Sequence, residues 1–177
     1  MSGAPDRGTA GRREVLPDVL PPGLRVVFCG TAAGTRSARI GAYYAGPGNR
    51  FWPTLAELGL IPAPLPPERF LEAARHGIGF TDLAKFAHGM DKGLTPEDFD
   101  LPRFFAAIRA CRPGAVAFTS KRAASLALGR PLGAISFGPA VIADFPPVHV
   151  LPSPSAANGH WRRQRQAWAD FAAALPA

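Results

Sequence analysis

The sequence predicts a three-layer α/β/α domain with a mainly parallel central sheet of about four strands. Three observations carry this reading. Short apolar runs alternate with segments of helical spacing, the pattern of βαβ units. Each strand candidate ends in small or polar residues. The first runs directly into the turn Gly30-Thr31-Ala32-Ala33-Gly34, and in an open α/β sheet such a turn stands at the carboxyl edge, where ligands bind.

Residues 1 to about 22 are rich in Gly, Pro, Arg and Asp and predict a flexible leader, with a single domain over 23–177. Residues 24–29 read as the first strand. Residues 50–58 read as a helix, stopped by Gly59 and a proline-rich stretch, and 67–75 as a second, shorter one. The second strand covers 78–83 and leads into a polar loop over 84–100. Residues 101–111 have helical spacing and stop before Pro113. Residues 115–118 form the third strand, and Thr119-Ser120 can cap a helix over 121–128. A loop or weak strand covers 132–143, the last strong strand 148–151, and the C-terminal helix runs from about 159 to 175.

At 177 residues and 47% hydrophobic, the chain can bury one substantial core. Its net charge of +7, from 20 Lys+Arg against 13 Asp+Glu, favours a polyanionic partner. A basic, Arg-rich soluble protein would read the same way. Cys29 and Cys111 have no metal-ligand spacing, and two cysteines are too few for an iron–sulfur cluster. No cofactor or metal is expected. The absence of a long apolar run predicts a soluble, cytoplasmic protein without a membrane partner.

Four strand ends (residues 30–34, Thr81-Asp82, Thr119-Ser120-Lys121 and Ser153-Pro154-Ser155) should meet on one edge of a parallel sheet. That edge gathers backbone donors, hydroxyls, a lysine at a helix start and one carboxylate. It suits a phosphodiester backbone with a base inserted below it.

The run Leu24-Arg25-Val26-Val27-Phe28-Cys29-Gly30, the segment Pro47-Gly48-Asn49-Arg50-Phe51-Trp52 and the run Gly77-Ile78-Gly79-Phe80-Thr81-Asp82 resemble the mismatch-specific uracil- and thymine-DNA glycosylases. Leu151-Pro152-Ser153-Pro154-Ser155 is similar to the second signature of the wider uracil-DNA glycosylase superfamily. The resemblance spans about residues 24–160. It implies a three-layer fold and hydrolysis of the N-glycosidic bond of an extruded deoxyuridine.

The first motif departs from the family's Gly-Ile-Asn-Pro-Gly. The asparagine that positions the attacking water is replaced by Ala32. Losing one positioned hydrogen-bonding group costs on the order of 10²–10³ in rate, about 3–4 kcal/mol. Asp82 is the candidate replacement, since a carboxylate about 4 Å from the developing positive charge on the sugar gains roughly 4 kcal/mol at an effective dielectric near 20. It can also take a proton from water. The competing reading makes Asp82 a turn cap. Asn49 is the second catalytic candidate.

The resemblance places Thr31, Ala32, Gly34, Tyr44, Asn49, Phe80 and Ser153 around the base. Tyr44 would stack on it, Phe51 and Trp52 would pack beneath the site, and Gly34 leaves room that a stricter enzyme fills with tyrosine. Ser37, Lys121, Ser155, Ala157, Asn158, His160, Arg162 and Arg163 would face DNA. Ala157 is too small for the wedge that relatives place there, so Asn158, His160 or Trp161 would substitute.

The expected activity is therefore a monofunctional uracil-DNA glycosylase acting as a monomer on uracil-containing duplex DNA, with abasic DNA as product. The rival is a uracil-DNA or abasic-site binding protein on the same fold. A small-nucleotide hydrolase lacks support, because the chain has neither a Walker lysine pattern nor clustered metal carboxylates.

Overall fold

The β-branched pair Val26-Val27 and the buried Phe28 and Cys29 build β1 (Val26–Ala33), the spine of a five-stranded sheet. A computed structural model describes residues 13–176. Helix α1 (Thr35–Ile40) follows the turn after β1 and ends at Gly41, whose φ of 77° closes it in the left-handed region. Helix α2 (Phe51–Glu57) and a 3-10 helix over Pro67–His76 lead to β2 (Ile78–His88). Helix α3 (Leu101–Cys111), β3 (Val116–Phe118) and α4 (Lys121–Leu128) come next. The chain closes with β4 (Gly138–Ala140), β5 (Val148–Val150), α5 (Trp161–Gln164) and α6 (Gln166–Ala174).

The strand order is β2-β1-β3-β5-β4. The β1–β2, β1–β3 and β3–β5 pairs are parallel, with Val26 opposite Ile78, Gly30 opposite Asp82 and Val27 opposite Val116. The chain leaves β1 for β2 on one side and returns through β3 on the other. That is a topological switch point, and its crevice opens at the carboxyl end of β1.

Alternation along β1 feeds two cores. Val26 and Phe28 pack with Phe51, Leu55, Trp168 and Phe171 on one face. Val27 and Cys29 pack with Phe104, Ile108, Ala123 and Phe118 on the other. These are the three layers the sequence predicts. Among the described residues no helix is long and apolar enough to cross a membrane.

Four expectations are corrected. The sheet has five strands rather than about four, because residues 138–140 pair antiparallel with β5 at the sheet edge. Pro139 disguises that strand in the sequence and is tolerated because only one side of an edge strand is paired. The predicted polar loop over 84–100 begins five residues too early, since β2 continues through the buried Lys85 to His88. The C-terminal helix begins at Trp161 and is divided at Arg165. Finally, the part of the leader from residue 13 onward belongs to the fold. The Val15 N–H donates to the Lys85 carbonyl (2.7 Å), Val19 and Phe80 exchange backbone bonds, and Leu16 is buried. This segment covers the outer edge of β2, which would otherwise stand unpaired. The leader's first twelve residues lie outside the described residues.

Candidate active site

The carboxyl edge opens into a cleft of about 550 Å³, within the range of small-ligand pockets. Gly30 to Gly34 form its floor, Asp82 one side, Thr119 and Ser120 the other, and Ser153 to Ser155 the far wall. Tyr44 and Asn49 reach in from the segment before α2. The strand ends that the sequence assigns to one edge do converge there.

Asp82 is 5% exposed and lines the cleft. Its carboxylate lies over Gly30, and a Cβ at residue 30 would stand 2.6 Å from Oδ1. Glycine at this position makes room for the carboxylate. No donor among the described residues hydrogen-bonds that carboxylate, so Asp82 is not a turn cap. Burial pushes its pKa from the ordinary 3.8 up to about 7; Lys85 opposes the rise, Asp18 adds to it and Arg103 opposes it.

The group behind Asp82 is a charge network that the sequence reading did not foresee. Asp18 Oδ1 accepts from Lys85 Nζ (2.7 Å) and from the Thr81 hydroxyl (2.7 Å). Asp18 Oδ2 accepts from Arg103 Nη1 (2.7 Å), while Arg103 Nη2 donates to the Asp82 carbonyl (2.6 Å). Arg103 therefore holds the main chain of Asp82 and shares a counter-ion with Lys85. Two cations and Asp18 leave one positive charge over, which an ionised Asp82 balances. The signal available in the sequence was a lysine two residues beyond an apolar strand. Its partners are remote in the chain, which is why it read as a loop residue.

Consecutive tyrosines take different roles because Tyr44 adopts a left-handed backbone with φ 55°. The Tyr43 hydroxyl donates to the Pro17 carbonyl and accepts from Lys85 Nζ, with its ring in the core. The Tyr44 ring stacks on Phe51 at 3.7 Å between centroids and 12° between planes, and its hydroxyl pairs with Thr119 Oγ1 at 3.3 Å. Tyr44 lines the cleft while Phe51 lies beneath it, as expected for Phe51 and for the equally buried Trp52. Burial, and next Asp82, raise the Tyr44 pKa, so the phenol stays neutral. Asn49 Oδ1 accepts the Phe51 N–H at 2.9 Å. Its oxygen starts α2, which leaves the amide NH₂ for the cleft.

Thr31 meets Ser120 across the floor at 3.3 Å, and Ala32 presents only its methyl group. Open space surrounds Gly34. Ser153 Oγ accepts the Ser155 N–H and Ser155 Oγ the Ala157 N–H, a ladder that shapes the far wall. Arg50, another residue to which the sequence reading gave no role, latches this wall by donating to the Ser155 carbonyl at 2.8 Å.

The other expected site residues divide between the cleft and its surroundings. Phe80 is fully buried among Tyr43, Tyr44, Phe51 and Trp52 and does not line the cleft. It shares a face of β2 with Asp82 but sits two residues deeper, so it supports the platform from below. Ser37 lines the cleft but is buried, and its Oγ accepts the Ala45 N–H, holding the loop that carries Tyr44. Lys121 begins α4 but extends over the Phe137 ring at 4.8 Å and does not line the cleft. Ala157 and Asn158 line the rim, whereas His160, Arg162 and Arg163 are exposed beyond it. Among the described residues, no group of three or more His, Cys, Asp or Glu is placed to hold a metal.

A doubly wound sheet with an aromatic platform, a ring of hydroxyls and one buried carboxylate at its switch point defines an α/β protein with a small-ligand cleft at the carboxyl edge of its sheet. The family model of the uracil DNA glycosylase superfamily matches residues 17–173, and the chain belongs to that superfamily. Its general class is thereby that of a DNA glycosylase of base-excision repair, a hydrolase whose partner is DNA. The match begins inside the segment that covers β2, in accord with that segment being part of the domain.

Proposed function

We propose that this protein is a monofunctional uracil-DNA glycosylase of the mismatch-specific kind, with Asp82 supplying what Ala32 lacks. The observation that carries this reading is the buried carboxylate over Gly30, which accepts no hydrogen bond from the described residues and faces the cleft. Deoxyuridine leaves the duplex and its base stacks on Tyr44, itself backed by Phe51. Extrusion costs a few kcal/mol and least at a mispair, which favours uracil opposite guanine. The Asn49 amide addresses the base edge and Ser153 the base oxygen or the sugar-phosphate.

The C1′–N1 bond then breaks, its electron pair leaving with the base, and a water oxygen bonds to C1′. Ionised Asp82 stabilises the positive charge on the sugar and accepts the proton of the attacking water. Uracil and an abasic site are the products, and the protein acts as a monomer on duplex DNA. Asn49 is second to Asp82 as a catalytic group because its oxygen is engaged by the Phe51 N–H.

Single-turnover release of uracil from a duplex with one U·G pair tests the reading. Asp82→Asn should lower the rate by about 10²-fold or more at similar DNA affinity. The apolar Ala32 favours one rival, a protein that holds uracil-DNA or abasic DNA with little turnover. Wild type that binds this duplex and releases no uracil would establish that rival.

A further inference from the structure

Extruding a nucleotide leaves a gap in the base stack, and proteins that bend or open DNA fill such gaps with apolar side chains, methionine among them. The wall after β5 offers no large apolar side chain free for this task. Residue 157 is alanine. The Asn158 amide donates to the Ser153 carbonyl (2.9 Å) and to Gln164 Oε1 (3.1 Å), and its Oδ1 accepts the His160 N–H. The His160 ring pairs with Arg163, while Trp161 packs against Trp168 under the Arg50 guanidinium.

The opposite rim differs. Leu71, Met90, Leu132 and Val141 are the exposed large apolar side chains among the described residues, and of these only Met90 lines the cleft. It is 72% exposed. Its backbone is held on both sides: the Gly89 N–H donates to the Ala33 carbonyl at the end of β1 (2.9 Å), and the Gly93 N–H to the Met90 carbonyl (2.8 Å). Lys92 lines the same rim and brings a cation suited to a phosphate. A long unbranched side chain on an anchored loop, beside the cleft that receives the base, meets the requirements of a wedge.

We infer that Met90 enters the DNA stack and occupies the space vacated by the extruded nucleotide. This rests on the glycosylase reading for its ligand, a duplex with a flipped deoxyuridine, but not on bond cleavage. The test uses the full chain and a duplex carrying 2-aminopurine beside a deoxyuridine opposite guanine, since 2-aminopurine brightens when its neighbour unstacks. Saturating wild type should brighten the probe. Met90→Ala should lose at least about half of that signal, and Met90→Leu should keep most of it, because leucine also serves as a wedge. The ratio of the duplex to the single-strand excision rate should fall about 10-fold in Met90→Ala and recover in Met90→Leu, as unstacking is a duplex cost.

Brightening that is equal in wild type and Met90→Ala would overturn the proposal, and so would a wild type that does not brighten the probe. Brightening that depends on Met90 without uracil release would sustain the wedge and overturn the glycosylase reading alone.

Discussion

The two walls of the cleft are built on opposite principles. On the β2 side the protein buries charge, with Asp82 over Gly30 and Lys85, Arg103 and Asp18 linked behind it. On the side formed after β3 and β5 it places neutral hydroxyls: Thr119 on Tyr44, Ser120 on Thr31, and Ser153 and Ser155 on their neighbours' amides. A charge in a low-dielectric site acts strongly but costs the fold dearly if it is left unbalanced. A hydroxyl costs little and orients a ligand. On the proposed function, the chemistry falls to the first wall and the holding to the second.

The sharpest way to break this contrast is to remove the counter-ion shared by Lys85 and Arg103. Asp18→Asn should destabilise the fold by about 3–5 kcal/mol, measured by urea denaturation, because two cations at the buried edge lose their partner. Surviving activity should also respond. Asp18 raises the Asp82 pKa, so its loss should move the rising limb of the pH–rate profile to lower pH.

The wild-type profile itself is the next measurement. With Asp82 near 7 and active only when ionised, the single-turnover rate should rise about tenfold per pH unit below 7 and level off above it. The stability effect has the opposite sign from that of an ordinary carboxylate. A folded pKa raised above 3.8 gives stability that is present below pH 3.8 and lost as pH rises through about 7. Asp82→Asn should therefore melt higher than wild type at pH 8, with the advantage vanishing towards pH 4. A flat difference across that range would mean the carboxylate is not buried in solution.

On the holding wall the expected effects are smaller. Tyr44→Leu removes the platform on Phe51 and should weaken uracil-DNA binding by about 1–3 kcal/mol in a fluorescence anisotropy titration. Ser153→Ala should cost about 0.5–1.5 kcal/mol of transition-state stabilisation, read from its single-turnover rate. An effect as large as that of Asp82→Asn would move the chemistry across the cleft and end the division of labour.

Some of this site was legible in the chain. Asp82 and the Gly30 turn were identifiable because a strand that stops at small polar residues must deliver them to the carboxyl edge. Tyr44 and Asn49 were identifiable from the segment around Asn49-Arg50-Phe51-Trp52. Phe80 was misplaced because a strand pattern tells which face a residue takes but not how deep it lies. Lys121 lies off the cleft because a helix start sets the backbone, while its side chain extends over Phe137. The short β4 was legible only as a loop or weak strand because of Pro139, and the continuation of β2 was hidden by Lys85; strands normally avoid both residues.

By itself, the order of apolar runs and turn residues determined the layered fold, the parallel core of the sheet and the edge at which the cleft opens. Those properties follow from periodicity and chain connection, which are local. Only the tertiary structure decided that Asp18 crosses to Lys85 and Arg103, that residue 30 must lack a side chain to seat the Asp82 carboxylate, and that Met90 stands on the rim of the cleft. These are contacts between residues far apart in the chain, and their physics, desolvation and charge balance, exists only once the chain has closed around them.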